Sequence, residues 1–217
     1  MPRQVFIMEL KNILIFGDSY STFDGYIPKG FLPYYSTNSK VTDVRNVEQT
    51  WWYRLIKKTG ACLVQNNSWS GSTICNTGYD GDCSKTNSFI CRLNKLIEED
   101  FFKNSRIDNV FIFGATNDSW ANAPIGGIMY SDWKNEDLFS VLPAVSYFIN
   151  KVKSTLPDAT VTVIINTELK DSISLGMKEI CEHYNVNYIV LKDIDKIGGH
   201  PTVKGMQQIE DQIISNL

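Results

Sequence analysis

The sequence predicts an α/β protein in which a five-stranded parallel sheet lies between two layers of helices. Five short apolar runs, each typical of a buried strand, are spread along the 217 residues. Stretches with apolar residues at helical spacing separate these runs. Because alternating strands and helices favour parallel strands joined by right-handed crossovers, we expect a three-layer α/β/α fold of flavodoxin-like type.

The predicted elements follow one another along the whole chain. The strands are Asn12–Phe16, Ala61–Asn66, Asn109–Phe113, Thr160–Asn166 and Asn187–Leu191. The helices are Trp51–Lys58, Phe89–Ile97, Leu138–Val152, Leu175–Tyr184 and Val203–Ile214. We find no linker, low-complexity tract or internal repeat, so residues 1–217 are predicted to form one domain.

Composition argues against several classes of function. A net charge of -3 leaves no basic surface for nucleic acid, and the lysines and arginines are scattered rather than grouped as at an anionic membrane. No apolar stretch approaches the roughly 20 residues needed to span a bilayer. Met1–Lys11 lacks a signal cleavage site, and an odd number of cysteines, five, favours reduced thiols. We therefore expect a cytoplasmic protein without nucleic-acid or membrane partners.

A long segment between the first strand and the first helix departs from the regular pattern. It runs from Tyr20 to Thr50 and is dense in Tyr, Phe, Gly and Pro. Connections of this length in compact domains are usually functional or disordered, and the aromatic content favours order. The segment is therefore predicted to be a lid or a wall of a substrate site.

The segment Ile15–Tyr20 places a serine directly after the first predicted strand. Gly17 lets the chain turn sharply as it leaves the sheet. In open α/β sheets, ligands bind just beyond the carboxyl ends of the strands. Ser19 is therefore predicted to be exposed at that edge yet rigidly held, as a nucleophile must be.

Three further polar positions are predicted to reach the same edge. Gly71 follows the second strand, Asn117 follows the third, and His200 comes just before the last helix. A histidine can take the proton of a serine hydroxyl, and backbone N–H groups of Ser19 and Gly71 with the Asn117 amide can stabilise an oxyanion. Each residue also suits an ordinary turn or helix start, so both interpretations stay open at this point.

The four positions together resemble the SGNH hydrolases, also called the GDSL esterase/lipase family. The matching blocks are Gly17-Asp18-Ser19, Gly71, Gly114-Ala115-Thr116-Asn117-Asp118 and His200-Pro201. They occur in the family's order, with family-like spacing, over nearly the whole chain. The resemblance implies a serine esterase in which Ser19 is the nucleophile, His200 is the base, and Ser19, Gly71 and Asn117 are oxyanion donors.

The histidine block departs from the family pattern at one position. The family usually has an aspartate three residues before the histidine, where it orients the imidazole, but this chain has Ile197 there. We expect Asp195 to orient His200, because the Gly198-Gly199 pair would let it reach back. The alternatives are Asp193, Glu168 and a backbone carbonyl.

Aromatic residues near the predicted oxyanion donors indicate the type of substrate. Trp69 and Trp120 each lie within three residues of Gly71 or Asn117. Such rings commonly stack on sugars or line an acyl pocket. We predict that Tyr20, Trp69, Asp118 and Trp120 line the substrate. The expected substrate is a small ester or an acylated sugar with a short acyl group such as acetyl.

Other functions remain as alternatives. They are a lipid acyl hydrolase of lysophospholipase or thioesterase type and a catalytically weak carbohydrate-binding module on the same fold. A metallophosphoesterase is disfavoured, because two histidines are too few for a two-metal site. No cofactor or metal ion is expected, since Cys75, Cys83 and Cys91 form no CxxC pair and have no histidine nearby. The oligomeric state stays open.

Overall fold

The structure of the protein is a computed structural model that describes residues 10–217. The prediction for the N-terminal segment, apart from its last two residues, lies outside this range. The strands are β1 (Asn12–Gly17), β2 (Cys62–Ser68), β3 (Thr77–Gly78), β4 (Gly81–Asp82), β5 (Asn109–Gly114), β6 (Thr160–Ile165), β7 (Asn187–Val190), β8 (Lys196–Ile197) and β9 (His200–Pro201). The helices are α1 (Trp51–Thr59), α2 (Phe89–Glu98), α3 (Phe101–Asn104), α4 (Thr116–Trp120), α5 (Val141–Thr155), α6 (Asp171–His183) and α7 (Val203–Ile214).

Five of these strands form a parallel sheet in the order β2-β1-β5-β6-β7. Helices α2, α5 and α6 pack on one face, and helices α1 and α7 pack on the other. The predicted three-layer α/β/α fold with a five-stranded parallel sheet is therefore confirmed. Two short antiparallel hairpins, β3–β4 and β8–β9, were not predicted. No helix within residues 10–217 is both long enough and apolar enough to cross a membrane.

Alternate residues of each central strand enter different cores. In β1, Leu14 and Phe16 pack on the α2, α5 and α6 side, whereas Ile13 and Ile15 pack on the α1 and α7 side. All four side chains are buried. A strand buried on both faces reads as a continuous apolar run, which is why these strands could be found in the sequence.

The boundaries differ from the predicted ones by a few residues. Strand β2 continues to Ser68, and β1 continues to Gly17. Helix α5 begins at Val141, because Leu138 belongs to a separate 3-10 turn, Asn135–Phe139. Helix α6 begins four residues earlier than predicted, at Asp171.

The register of the sheet places the ends of β1, β2 and β5 side by side. Gly17 pairs with Ser68 on one side and with Phe113 on the other. A Cβ atom at Gly17 would lie 2.6 Å from the Cβ atom of Ser21, so only glycine fits at this exit. The three connections that leave this edge therefore start close together.

Candidate active site

Ser19 opens a single 3-10 turn, Ser19–Ser21, directly after β1. The carboxylate of Asp18 accepts the N–H of Tyr20 at 3.0 Å, and the Thr22 hydroxyl donates to the Ser19 carbonyl at 2.9 Å. These bonds hold the turn at both ends. Ser19 is only 2% exposed, less than the sequence predicted, because neighbouring side chains cover it.

His200 lies on the β8–β9 hairpin, opposite Ile197. Its Nε2 atom is 2.9 Å from the Oγ atom of Ser19, although 181 positions separate the two residues. Its Nδ1 atom is 3.1 Å from the carbonyl oxygen of Gly198. The structure thus brings the predicted nucleophile and the predicted base into hydrogen-bond contact.

The expected contact between Asp195 and His200 is not made. The Asp195 carboxylate accepts a hydrogen bond from the Thr202 hydroxyl, which also caps the first turn of α7. The carboxylate of Glu168, one of the alternatives, is paired with Lys196 at 3.1 Å. The group that faces Nδ1 of His200 is the carbonyl of Gly198, because the turn at Gly198 and Gly199 has positive φ at both residues and folds back on the ring.

Aromatic rings surround the imidazole of His200. Tyr34 stacks on it with 3.6 Å between ring centroids and 6° between ring planes. Trp120 meets it edge-on at 5.6 Å, and Tyr20 lies at 5.5 Å. Tyr34 comes from the long segment after β1, so this segment forms a wall of the site. The sequence predicted that this segment would be a lid or a wall, but it did not identify Tyr34 as the residue that contacts His200.

The electrostatic surroundings favour a neutral imidazole. Burial lowers the pKa of His200, and the charge of Lys196 lowers it further, while the bond to the Gly198 carbonyl opposes both effects. A neutral ring with its proton on Nδ1, donated to that carbonyl, leaves the lone pair of Nε2 facing the Ser19 hydroxyl. His200 is therefore in the form of a base at neutral pH.

Asn117 and Gly71 lie on neighbouring connections that are joined by Ser72. The side-chain amide of Asn117 donates to the Ser72 carbonyl at 2.9 Å. The Tyr79 hydroxyl donates to the amide oxygen of Asn117 at 3.0 Å and so fixes the orientation of this side chain. Gly71 has a φ of +78°, and among residues 10–217, apart from its two chain neighbours, no atom lies within 4 Å of the position a Cβ would take. Tyr79 lies in the unpredicted β3–β4 hairpin, and no sequence signal indicated its role.

The residues predicted to line the substrate fall into two groups. Trp120 is 41% exposed, and Trp69 contacts the ring of Phe31 with 4.3 Å between ring centroids and 35° between ring planes. Tyr20 and Asp118 are completely buried.

Each of these two buried side chains holds a piece of backbone. Tyr20 donates its hydroxyl to the carbonyl of Gly199 and thereby supports the turn next to His200. The Asp118 carboxylate accepts the N–H groups of Ile74 and Cys75 at 2.9–3.1 Å. Burial raises the pKa of Asp118, although these bonds oppose the shift. Both residues therefore support the backbone around the site.

A cavity of about 290 Å³ is lined in part by Gly71. The aromatic, acidic and amide side chains that line it are Trp69, Tyr79, Asp80, Asp82 and Asn87. A larger cavity of about 540 Å³ lies between α1 and α7 and contains none of the site residues described above. The smaller cavity is therefore the one relevant to the site.

Two buried ionisable groups, Asp18 and Arg92, lie next to the site residues. Burial raises the pKa of Asp18, directly before Ser19, to about 7, while the bond from the Tyr20 N–H lowers it. Arg92 on α2 is also buried and hydrogen-bonded to the exits of β1 and β2. Sequence reasoning missed Arg92, since it falls on the apolar face of a predicted helix. Within residues 10–217, no group of three His, Cys, Asp or Glu side chains is arranged to hold a metal ion.

Comparison with known proteins gives a consistent result. The sequence model of the GDSL-like lipase/acylhydrolase family matches residues 11–217. A candidate GDSL-like lipase from Bacteroides ovatus ATCC 8483 has 44% sequence identity and a TM-score of 0.87, over 94% of this chain and 96% of that protein. A candidate GDSL-like lipase from Bacteroides uniformis ATCC 8492 has 44% identity and a TM-score of 0.88, over 96% and 95% of the two chains.

More distant similarity extends to an enzyme with a named substrate. An acetyl xylan esterase from the rumen bacterium Butyrivibrio proteoclasticus has 16% identity and a TM-score of 0.62. The match covers 94% of this chain and 62% of that one. At this level of identity the similarity concerns the fold alone. No curated protein sequence is significantly similar to the chain.

Proposed function

This chain belongs to the GDSL-like lipase/acylhydrolase family, whose members hydrolyse ester bonds, and we propose that it is a serine esterase built on Ser19 and His200. One observation carries the proposal. The 2.9 Å contact between Oγ of Ser19 and Nε2 of His200 joins a hydroxyl to a neutral imidazole whose other nitrogen is already occupied. This is the arrangement that turns a hydroxyl into a nucleophile.

The proposed reaction has two halves. Ser19 Oγ attacks the ester carbonyl carbon while His200 Nε2 takes its proton, and the carbonyl oxygen becomes an oxyanion. The intermediate collapses, the bond to the alcohol oxygen breaks, and His200 returns the proton to the leaving alcohol. Water then attacks the acyl-Ser19 ester with His200 again as the base, which releases the carboxylic acid and restores the serine.

The oxyanion is stabilised by the N–H groups of Ser19 and Gly71 and by the side-chain amide of Asn117. Gly71 supports this role because the space beside it is open, and Asn117 because Tyr79 fixes its orientation. Losing one such donor typically costs about 2.7–4 kcal/mol of barrier. The acid partner of a triad is replaced by the carbonyl of Gly198, so the catalytic unit is a dyad.

The cavity beside Gly71 supports an acylated carbohydrate as the substrate. The rings of Trp69 and Tyr79 offer faces for a sugar, and the carboxylates of Asp80 and Asp82 can accept bonds from its hydroxyl groups. An acetyl xylan esterase has the same fold, which supports this assignment. We propose a short acyl group such as acetyl. Five free thiols also support a reducing compartment, which we propose to be the cytoplasm.

The function is tested with a nucleophile variant and a matched serine control. Ser19→Ala is expected to lose hydrolysis of p-nitrophenyl acetate and labelling by a fluorophosphonate probe. Ser174→Ala, on α6, is expected to keep both. Unchanged turnover in Ser19→Ala contradicts the proposal. An unlabelled wild type that binds sugars would indicate the alternative of a carbohydrate-binding module, which the missing acid partner of His200 favours.

A substrate panel then separates the sugar ester from a lipid. Acetylated xylo-oligosaccharides, p-nitrophenyl esters of increasing acyl length and a lysophospholipid are compared by kcat/KM. We expect the acetylated sugars to be preferred and Trp69→Ala to lower kcat/KM for them more than for p-nitrophenyl acetate. Preference for the lysophospholipid would instead assign a lipid acyl hydrolase.

A further inference from the structure

Arg92 is a buried cation that no catalytic step above uses. It lies on α2 and is 2% exposed. Burial lowers its pKa to about 9, so it is charged at neutral pH. Within residues 10–217, no carboxylate lies at ion-pair distance from its guanidinium. A charge buried without an ion-pair partner destabilises a fold unless hydrogen bonds compensate it.

The guanidinium satisfies all five of its N–H groups with uncharged acceptors. Nε donates to the carbonyl of Asn87 at 3.1 Å. Nη1 donates to the carbonyl of Asn67 and, at 3.0 Å, to the side-chain oxygen of the same residue. Nη2 donates to the carbonyl of Gly17 and to the hydroxyl of Ser72, both at 3.1 Å. Only a planar, forked donor can serve these acceptors together.

Ser72 links Arg92 to the proposed oxyanion donors. Its hydroxyl accepts from Arg92 and donates to the carbonyl of Trp69 at 2.7 Å. The Ser72 carbonyl accepts a hydrogen bond from the side-chain amide of Asn117 at 2.9 Å, and Ser72 directly follows Gly71 in the chain. Ser72 is completely buried. Ser72 is therefore both the chain neighbour of Gly71 and a hydrogen-bond partner of Asn117.

Gly17 links the same guanidinium to the nucleophile. Its carbonyl accepts from Arg92 Nη2 and also from the N–H of Trp69, both at 3.1 Å. Gly17 is two residues before Ser19 at the end of β1. Arg92 thus bridges the strand end that carries the nucleophile and the loop that carries Gly71.

We propose that Arg92 is a positioning residue for the oxyanion hole, acting through Ser72 and Gly17 to fix the three N–H donors relative to the Ser19 hydroxyl. The inference rests on the proposed esterase function. Arg92 does not touch the reacting atoms. Because a misplacement of about 1 Å in a catalytic group can cost roughly 10²-fold in rate, we expect its loss to lower kcat rather than to raise KM.

Ser72→Ala tests the link while keeping the cation in place. We expect kcat to fall about 10- to 100-fold with KM within about threefold of wild type. Ser146→Ala is the matched control, since Ser146 is also fully buried and hydrogen-bonded, to the Tyr184 hydroxyl at 3.2 Å, but lies on α5. Its kcat is expected to stay within about twofold of wild type. Thermal melting confirms that both variants are folded.

Arg92→Ala tests the cation itself through chemical rescue. Guanidinium at low, non-denaturing concentration is expected to restore part of kcat in Arg92→Ala, whereas sodium chloride and urea at the same concentration are not. A merely structural role for Arg92 would give no saturable, guanidinium-specific gain in kcat.

A folded Ser72→Ala variant with wild-type kcat overturns the inference, and so does a folded Arg92→Ala variant with wild-type kcat. If Arg92→Ala does not fold, Ser72→Ala decides alone. An inactive wild type whose Ser19 is not labelled by a fluorophosphonate would instead contradict the proposed function.

Discussion

The ring of Tyr34 lies parallel to the imidazole of His200, with 3.6 Å between the ring centroids. Tyr34 belongs to the long segment after β1, and His200 belongs to the hairpin before α7. The neighbouring Tyr35 strengthens the same junction, because its hydroxyl donates to the carbonyl of Pro201 at 3.0 Å. The long segment is therefore fastened to the hairpin that carries the proposed base.

Tyr34→Ala is expected to lower kcat/KM about three- to tenfold, because an aromatic stack contributes about 0.5–1.5 kcal/mol and this one holds the imidazole in place. Tyr34→Phe keeps the ring and should retain nearly full activity. Tyr26→Ala is the control, because Tyr26 lies in the same segment but its ring contacts Trp52 instead, and it should leave kcat/KM unchanged. Steady-state kinetics on p-nitrophenyl acetate measures all three. Full activity in Tyr34→Ala would show that the stack does not position His200.

Asp195→Asn is expected to keep kcat within about threefold of wild type, in contrast to the roughly 10⁴-fold loss seen when a true triad aspartate is replaced. The reason is that the Asp195 carboxylate bonds to Thr202 and not to His200. Asp195→Ala, which removes the acceptor for Thr202, should lower the melting temperature but still turn over substrate. A loss of a hundredfold or more in Asp195→Asn would assign this carboxylate to the imidazole after all.

Lys196→Met is expected to move the acidic limb of the pH–rate profile to higher pH. His200 acts as a base only when neutral, so activity is present above its pKa and is lost as pH falls through it. Burial and the charge of Lys196 both hold that pKa below its ordinary value of 6.5. Removing the charge stabilises the imidazolium and raises the pKa.

The profile of kcat/KM between acidic and mildly basic pH measures this shift. Lys103→Met serves as the control, because Lys103 is on α3 at the opposite edge of the sheet and pairs with Asp100. Its profile should match that of the wild type. A limb that moves to lower pH in Lys196→Met would contradict the assignment of His200 as the base.

Gly17→Ala is expected to lower the free energy of unfolding by about 1–3 kcal/mol, the usual cost of overpacking. The added Cβ atom would lie 2.6 Å from Cβ of Ser21 and would also clash with the Ser68 hydroxyl. Gly127→Ala is the control, since no atom of the described part of the chain beyond its two neighbours lies within 4 Å of its Cβ position. Denaturant unfolding measures both variants. Equal stability would mean that the exit of β1 can widen without cost.

The sequence allowed the sheet to be predicted from local patterns, and it allowed the meeting of Ser19 with His200 to be predicted from four short blocks that together resemble a known family. Apolar runs mark strands buried on two faces, and parallel strands deliver their carboxyl ends to one edge. Tyr20 and Asp118, which were predicted to line the substrate, are buried for a geometric reason. In a helical turn, successive side chains point in different directions, so the neighbour of a site residue tends to face elsewhere.

Other features depend on contacts between distant segments and left no local signal. Tyr34 contacts His200 although 166 positions separate them, and Tyr79 binds Asn117 from the turn of the short β3–β4 hairpin. The partner of His200 Nδ1 is the backbone carbonyl of Gly198, which the turn at this residue directs toward the ring. Every residue has such a carbonyl. No residue type in the sequence could therefore identify it.

That carbonyl has a chemical consequence for the proposed enzyme. An uncharged neighbour gives the imidazolium less Coulombic support than a carboxylate would, so the ring accepts a proton less readily and donates one more readily. The imidazolium therefore protonates the departing alkoxide more effectively, whereas the imidazole activates the Ser19 hydroxyl less effectively. Esters of aliphatic alcohols, whose alkoxides leave poorly without a proton, gain most from such a balance.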